Sequence, residues 1–139
     1  MRKTTIQLTT IALLLVGFAL INPVSFAMAE DMVLATGQFS GRSGHKVSGT
    51  LEIVKTSNGY QLRLGDSFKI DGAPGPYLGF GQSGKYASET EFSKLLKKRG
   101  KQIYKIPAKI DISKFDTFFI WCKPYKVPLA VAKLKQGQS

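Results

Sequence analysis

An all-β fold, an antiparallel β-sandwich or small barrel with one short surface helix, is predicted for most of this 139-residue chain by three observations. Short runs alternate apolar and polar residues, the period of a strand with one buried face. Turn-forming stretches separate the runs, among them Asn58-Gly59 and Gly72-Ala73-Pro74-Gly75-Pro76. A single segment carries helical spacing, so there are no alternating helices from which to build a parallel sheet.

The elements follow in chain order. Arg2 and Lys3 precede eleven residues without charge, Ile11 to Ile21, and Asn22-Pro23 breaks any helix there. Ala27-Met28-Ala29 then puts small residues at the −3 and −1 positions of a cleavage site, which predicts a signal peptide over 1–29. The apolar run falls short of the ~18 residues read as a spanning helix. The mature chain, 30–139, is therefore expected to be one exported domain, periplasmic or extracellular, with no transmembrane span.

Val33 to Ser40 is the first expected strand. Thr50 to Val54 and Tyr60 to Leu64 form a hairpin, with Leu51 and Ile53 sharing one face and Tyr60, Leu62 and Leu64 sharing the next. Asn58-Gly59 between them is the pair that most readily takes the positive φ angles of a type I′ turn. Asp66 to Ile70 and Pro76 to Phe80 are further strands. The helix is expected at about 88–99: Ser88 and Glu91 have capping-box spacing, Phe92, Leu95 and Leu96 fall on one helical face, and Gly100 is a stop. Ile103 to Ile106, Asp116 to Lys123 and Val127 to Leu134 complete the strands.

The formal charge is +11, and losing Arg2 and Lys3 with the leader leaves +9. An exported protein seldom meets nucleic acid, so the partner expected of this excess is an anionic cell-surface component or an acidic protein. Lys97, Lys98, Arg99 and Lys101 are the densest basic cluster and the candidate anion-binding residues. They also complement the dipole at the end of the expected helix.

Counting removes most enzyme classes. A nucleophile triad needs a histidine base, and the one histidine, His45, lies in the loop Gly41-Arg42-Ser43-Gly44-His45. Structural zinc wants about four Cys or His ligands, and the chain has one of each. The C-x-x-C-H signature of covalent haem is absent. Asp66, Asp71, Asp111 and Asp116 show no spacing that singles them out as paired catalytic carboxylates.

Cys122, the lone cysteine, remains, next to the only tryptophan, Trp121. An unpaired cysteine in an exported protein flags a free thiol, an intermolecular disulfide or a ligand. Strand parity argues the other way: Phe118, Ile120 and Cys122 point to one face while Phe119, Trp121 and Lys123 point to the other, and Lys123 marks the second as reaching solvent. On the apolar face a free cysteine behaves as a small hydrophobe. Pro124 sets Cys122 at the strand's end. Redox thiol and core residue both stay open.

Thr36-Gly37-Gln38-Phe39, Val47-Ser48-Gly49-Thr50-Leu51, Leu64-Gly65-Asp66-Ser67-Phe68, Gly75-Pro76, Gln102-Ile103-Tyr104-Lys105-Ile106-Pro107 and Ile120-Trp121-Cys122-Lys123 together resemble one family. It is the electron-transfer DM domain family, the thirteenth of its naming series, and the resemblance runs from about Ala35 to Leu134. It implies a β-rich exported module that exchanges electrons with a redox partner protein, through a cysteine acting as a naked thiol or as the ligand of a prosthetic group such as haem. That role carries over to Cys122 alone, with Trp121 shielding the site. For the thiol, Lys123 and Lys126 are the nearby cations that would lower its pKa. For haem, Cys122 is the axial thiolate and the second ligand is left open between His45, Met32 and none. Tyr77 replaces an acidic residue common after Gly-Pro, and Leu129-Ala130 stands where Phe-Gly is usual. The alternative is a non-catalytic basic module that docks on an anionic surface, with Cys122 structural.

Overall fold

Alternating burial along a ten-residue first strand, β1 (Met32–Gly41), organises the architecture of the computed structural model, which describes Gly17 and residues 23–137. Ala35, Gly37 and Phe39 face inward while their neighbours face out. The further strands are β2 (Val47–Ser48), β3 (Thr50–Thr56), β4 (Gly59–Leu64), β5 (Lys69–Ile70), β6 (Pro76–Gln82), β7 (Lys85–Tyr86), β8 (Ser93–Lys94), β9 (Gln102–Ile106), β10 (Thr117–Cys122), β11 (Val127–Lys133) and β12 (Lys135–Gln136).

Ten of the twelve form one antiparallel sheet whose main path is β7-β6-β10-β11-β1-β3-β4-β9, with β12 on β1 and β8 on β6; β2 and β5 make a separate pair. Besides the short β12, two long partners share β1. Its run from Met32 to Gln38 pairs with β3, and Phe39 to Gly41 pair with β11. The sheet therefore curls into a half-barrel around its own inner face. Gly37 sits at this corner, where a Cβ would lie 3.1 Å from both the Ala132 Cβ and the Lys133 carbonyl oxygen. A larger residue there would separate β1 from β11.

The inner face is filled by alternate residues of the long strands. Leu51 and Ile53 of β3, Leu62 and Leu64 of β4, Leu78 and Phe80 of β6, and Phe118, Ile120 and Cys122 of β10 join Phe39 and Phe68 in one core. The all-β class, the β3–β4 hairpin and the two-faced β10 are all as expected. Of the expected signal peptide over 1–29, residues 1–16 and 18–22 lie outside the described residues. Among the described residues no helix is long and apolar enough to cross a membrane.

The helix expected at about 88–99 does not form. Ser88–Thr90 make one 3-10 turn, and Glu91 turns extended at φ −62°, ψ 124°. An isolated helix of this length is marginal in water, and the free edge of β6 offers its backbone better partners. Ser93 and Lys94 pair with Leu78 and Tyr77, the Phe92 N–H donates to the Leu78 carbonyl, and the Leu95 N–H donates to that of Pro76. Thr90 anchors the switch: its Oγ accepts from the Phe80 N–H at 2.7 Å and donates to a neighbouring carbonyl. Phe92 stacks on Phe80, whereas Leu96, expected on the same face, is 73 % exposed.

Two smaller expectations also change. In the β3–β4 turn Gly59 takes a positive φ of 112° and Asn58 does not, so the turn is not type I′. Thr56 fixes it instead, its Oγ accepting from the Asn58 N–H and donating to the Gly59 carbonyl. Of the strand expected at Asp66 to Ile70, only Lys69–Ile70 pairs, because Phe68 turns inward to the core and its N–H donates to the Gly65 carbonyl.

Candidate functional site at the end of β10

Cys122 ends β10, between Pro76 of β6 and Val127 of β11. Its side chain is fully buried on the inner face, as the parity of Phe118, Ile120 and Cys122 predicts. The thiol donates to the Pro74 carbonyl oxygen at 3.0 Å. Pro74 belongs to the turn of residues 72–75, in which Gly72, Pro74 and Gly75 are exposed. Gly75 adopts φ 52°, and a Cβ there would lie 2.7 Å from Pro124 Cδ. The Gly75 carbonyl accepts from the Lys123 N–H, so this loop is stitched over the end of β10 directly above the sulfur.

Haem ligation would need a slot at the sulfur wide enough for the macrocycle. Pro74 covers Sγ, and none of five surface hollows is lined by Cys122, including the largest at about 630 Å³. His45 faces the Asp71 carbonyl at 3.2 Å, and Met32 is an exposed residue at the start of β1. These residues do not fit a haem. The four aspartates do not converge either: Asp66 pairs with Lys101, Asp71 with Lys69 and Asp111 with Lys114, while Asp116 accepts from the Ser83 N–H. Among the described residues no three His, Cys, Asp or Glu side chains gather as metal ligands.

Trp121 stands on the opposite face of the same strand, half-buried, and does not shield the thiol. It belongs to an aromatic layer outside the sheet. Tyr86 leaves β7, crosses β6 and stacks on Trp121 with ring centroids 4.4 Å apart and planes 11° from parallel. Phe119 meets both rings edge-on, at 5.5 Å from Tyr86 and 6.4 Å from Trp121. The crossing is open because β6 presents Gly79 and Gly81 on this face. A Cβ on Gly79 would lie 2.7 Å from Tyr86 Cε2, and one on Gly81 would lie 2.5 Å from Phe119 Cε2.

Glu91 completes the layer. Its carboxylate accepts from the Tyr86 hydroxyl at 3.3 Å and from the Lys123 ammonium at 2.8 Å. Lys123 also lies 4.6 Å from the Tyr77 ring centroid. The expected pairing of Lys123 with the thiol is thus corrected: the alternation of β10 sends it to the outer face, where the hydrogen bond to Glu91 raises its pKa. Burial, then the neighbouring Glu91 charge, pushes the Tyr86 phenol far above its usual range. Sequence reasoning missed Tyr86 and Glu91. The Gly79-Phe80-Gly81 alternation, bulky inside and bare outside, is the signal that could have found their slot.

The basic cluster lies elsewhere, on an extended strap rather than a helix end. Lys97 is fixed through its backbone N–H and carbonyl by the buried Gln102 amide, whose oxygen also bonds the Tyr104 hydroxyl. The Lys98 carbonyl accepts from the Ile70 N–H, and Arg99 bridges Lys69. Lys97, Lys98 and Arg99 are exposed and among the described residues make no ion pair, whereas Lys101 reaches Asp66 at 3.4 Å.

Comparison with known families gives one match: the family model described as electron transfer DM13 covers residues 38–134. No curated protein and no solved structure matches the chain.

Proposed function

The chain belongs to the electron transfer DM13 family, and from that premise we propose that it is an exported electron-transfer domain whose redox group is the Cys122 thiol. The observation that carries the reading is the hydrogen bond from Sγ to the Pro74 carbonyl. A buried structural cysteine is inert. Here the cover is one four-residue turn, exposed at all but Ala73, rather than a second layer of core, so access depends on lifting that turn and not on unfolding. In the step proposed, the thiol gives one electron to the one-electron oxidant of a redox partner protein and its proton to water admitted beneath the turn. Reduction of the thiyl radical by one electron and one proton reverses it.

Alkylation of the folded protein tests this. Cys122 should react slowly with a maleimide in the wild type and faster in Gly75→Ala. An alanine at φ 52° is strained by roughly 1–2 kcal/mol, and its Cβ would push the turn away from Pro124. Cys122→Ala should lose the sulfur-centred radical that a one-electron mediator generates, and a spin trap captures, in the wild type. A trapped sulfur-radical signal unchanged in Cys122→Ala would overturn the reading.

A second reading concerns what brings the protein to its partner, and the exposed Lys97, Lys98 and Arg99 favour it. Their strap would dock on an anionic envelope surface or an acidic partner. Retention on anionic vesicles should then fall between low and high salt, since exposed charges are screened beyond about 8 Å at physiological ionic strength. Replacing the three by glutamine should remove the salt dependence, and salt-independent retention of the wild type would sink the idea.

A further inference from the structure

We propose that Tyr86 and Trp121 form an electron relay on the outer face of the sheet, with Glu91 as the acceptor of the Tyr86 phenol proton. It rests on the electron-transfer reading above but does not need Cys122 to be the redox group.

Three features of the layer point to it. The rings are stacked at 4.4 Å and 11°, so their π systems overlap and an electron moves between them without crossing solvent or saturated chain. Both residues are half-buried, leaving an edge open to a partner. The third feature is the proton path. A phenol that loses an electron becomes a very strong acid, so oxidation of tyrosine is easy only where a base already holds the hydrogen bond. Glu91 provides that base, with a side chain only 19 % exposed and held by Lys123. The phenol remains protonated at neutral pH, since its pKa is pushed up by burial and by Glu91. Electron and proton therefore leave together.

The sequence of steps balances. A one-electron oxidant, the oxidised metal centre of a partner or a photogenerated ruthenium(III) polypyridyl complex, takes one electron from Trp121 and leaves an indole radical cation. Tyr86 passes one electron to that cation and its phenol proton to the Glu91 carboxylate. The products are neutral Trp121, a neutral Tyr86 phenoxyl radical and a protonated Glu91. Lys123 keeps its charge throughout, and when an electron returns to Tyr86 the proton moves back to it from Glu91.

Flash oxidation of the full chain by the ruthenium complex, followed by transient absorption, tests the relay. The wild type should show the broad visible band of a tryptophan radical decaying into the narrow band of a tyrosyl radical. In Tyr86→Phe the tryptophan band should persist and the transferred tyrosyl signal should disappear, which separates Tyr86 from the directly oxidised, exposed Tyr125. In Glu91→Gln the ring stack should survive in the near-ultraviolet circular dichroism while the transfer slows severalfold. A tyrosyl signal unchanged in Tyr86→Phe, or transfer unchanged in Glu91→Gln, would overturn the proposal. Cys122→Ala keeps the two readings apart: it should leave the flash signals intact, so failure of the relay and failure of the thiol appear in different variants.

Discussion

Phe118→Ala should destabilise the protein by about 3–5 kcal/mol, the range for truncating a fully buried phenylalanine to alanine. Phe118 has no exposed surface and is the second residue of β10, paired with Ala132 of β11 on one side and Phe80 of β6 on the other. Its ring meets Phe80 edge-on at 5.4 Å and Phe39 edge-on at 6.1 Å. Phe39 belongs to β1 and Phe80 to β6, so one side chain ties together the strands on either side of the β10–β11 pair. Both neighbours are held by their own strands and cannot collapse into the space left, which puts the cost towards the upper part of the range. Domains of this size are stable by only about 5–15 kcal/mol in all. Urea unfolding should show a large drop in midpoint with an unchanged slope, and Phe118→Leu should recover much of it. A midpoint within experimental error of the wild type would mean that the curled sheet does not close on Phe118.

What the sequence made legible was the part set by local period. Strand parity needs only neighbouring residues, so Leu51 with Ile53, and Phe118 with Ile120 and Cys122, could be placed on inner faces before any tertiary contact was known. The hairpin of β3 and β4 was legible for the same reason, because its turn joins residues adjacent in the chain. The helix at about 88–99 failed because its signals were local too, and a non-local partner outweighed them. Ser88 and Glu91 have the spacing of a cap, but the free edge of β6 took the backbone of residues 92–95 into the sheet. Glu91, released from capping, then found Lys123, thirty-two positions away.

The candidate site divides along the same line. Burial of Cys122 followed from alternation, while its cover did not, since the Pro74 carbonyl lies forty-eight residues earlier in the chain. Trp121 was singled out for its neighbour in sequence, yet the ring stacked on it is Tyr86 of β7, across β6, with Phe119 edge-on from two residues back on β10. The same alternation that buries the thiol turns Trp121 and Lys123 outward. It thereby separates the two chemistries of the Trp-Cys-Lys run by the thickness of one sheet.

Gly79→Ala should abolish the Tyr86–Trp121 stack while leaving the fold in place. The new Cβ would sit 2.7 Å from Tyr86 Cε2, 2.8 Å from its hydroxyl oxygen and 3.1 Å from Thr90 Oγ. The two shortest approaches are to the far end of a side chain, which can swing off the sheet. The expected cost is therefore about 1–3 kcal/mol, the usual range for overpacking, and part of it is the lost aromatic pair at about 0.5–1.5 kcal/mol. Gly81 is the instructive contrast, because a Cβ there would lie 2.1 Å from the Lys85 carbonyl oxygen, which is backbone and cannot step aside. Gly81→Ala should open the β6–β7 hairpin itself. In Gly79→Ala, by comparison, the near-ultraviolet dichroism of the stacked rings should vanish while the far-ultraviolet spectrum stays that of the wild type. Flash oxidation should then stop at the tryptophan radical, as in Tyr86→Phe, even though Tyr86 and Glu91 are both still present. A Gly79→Ala protein that keeps both the stack and the transfer would show that the bare face of β6 is not what seats Tyr86.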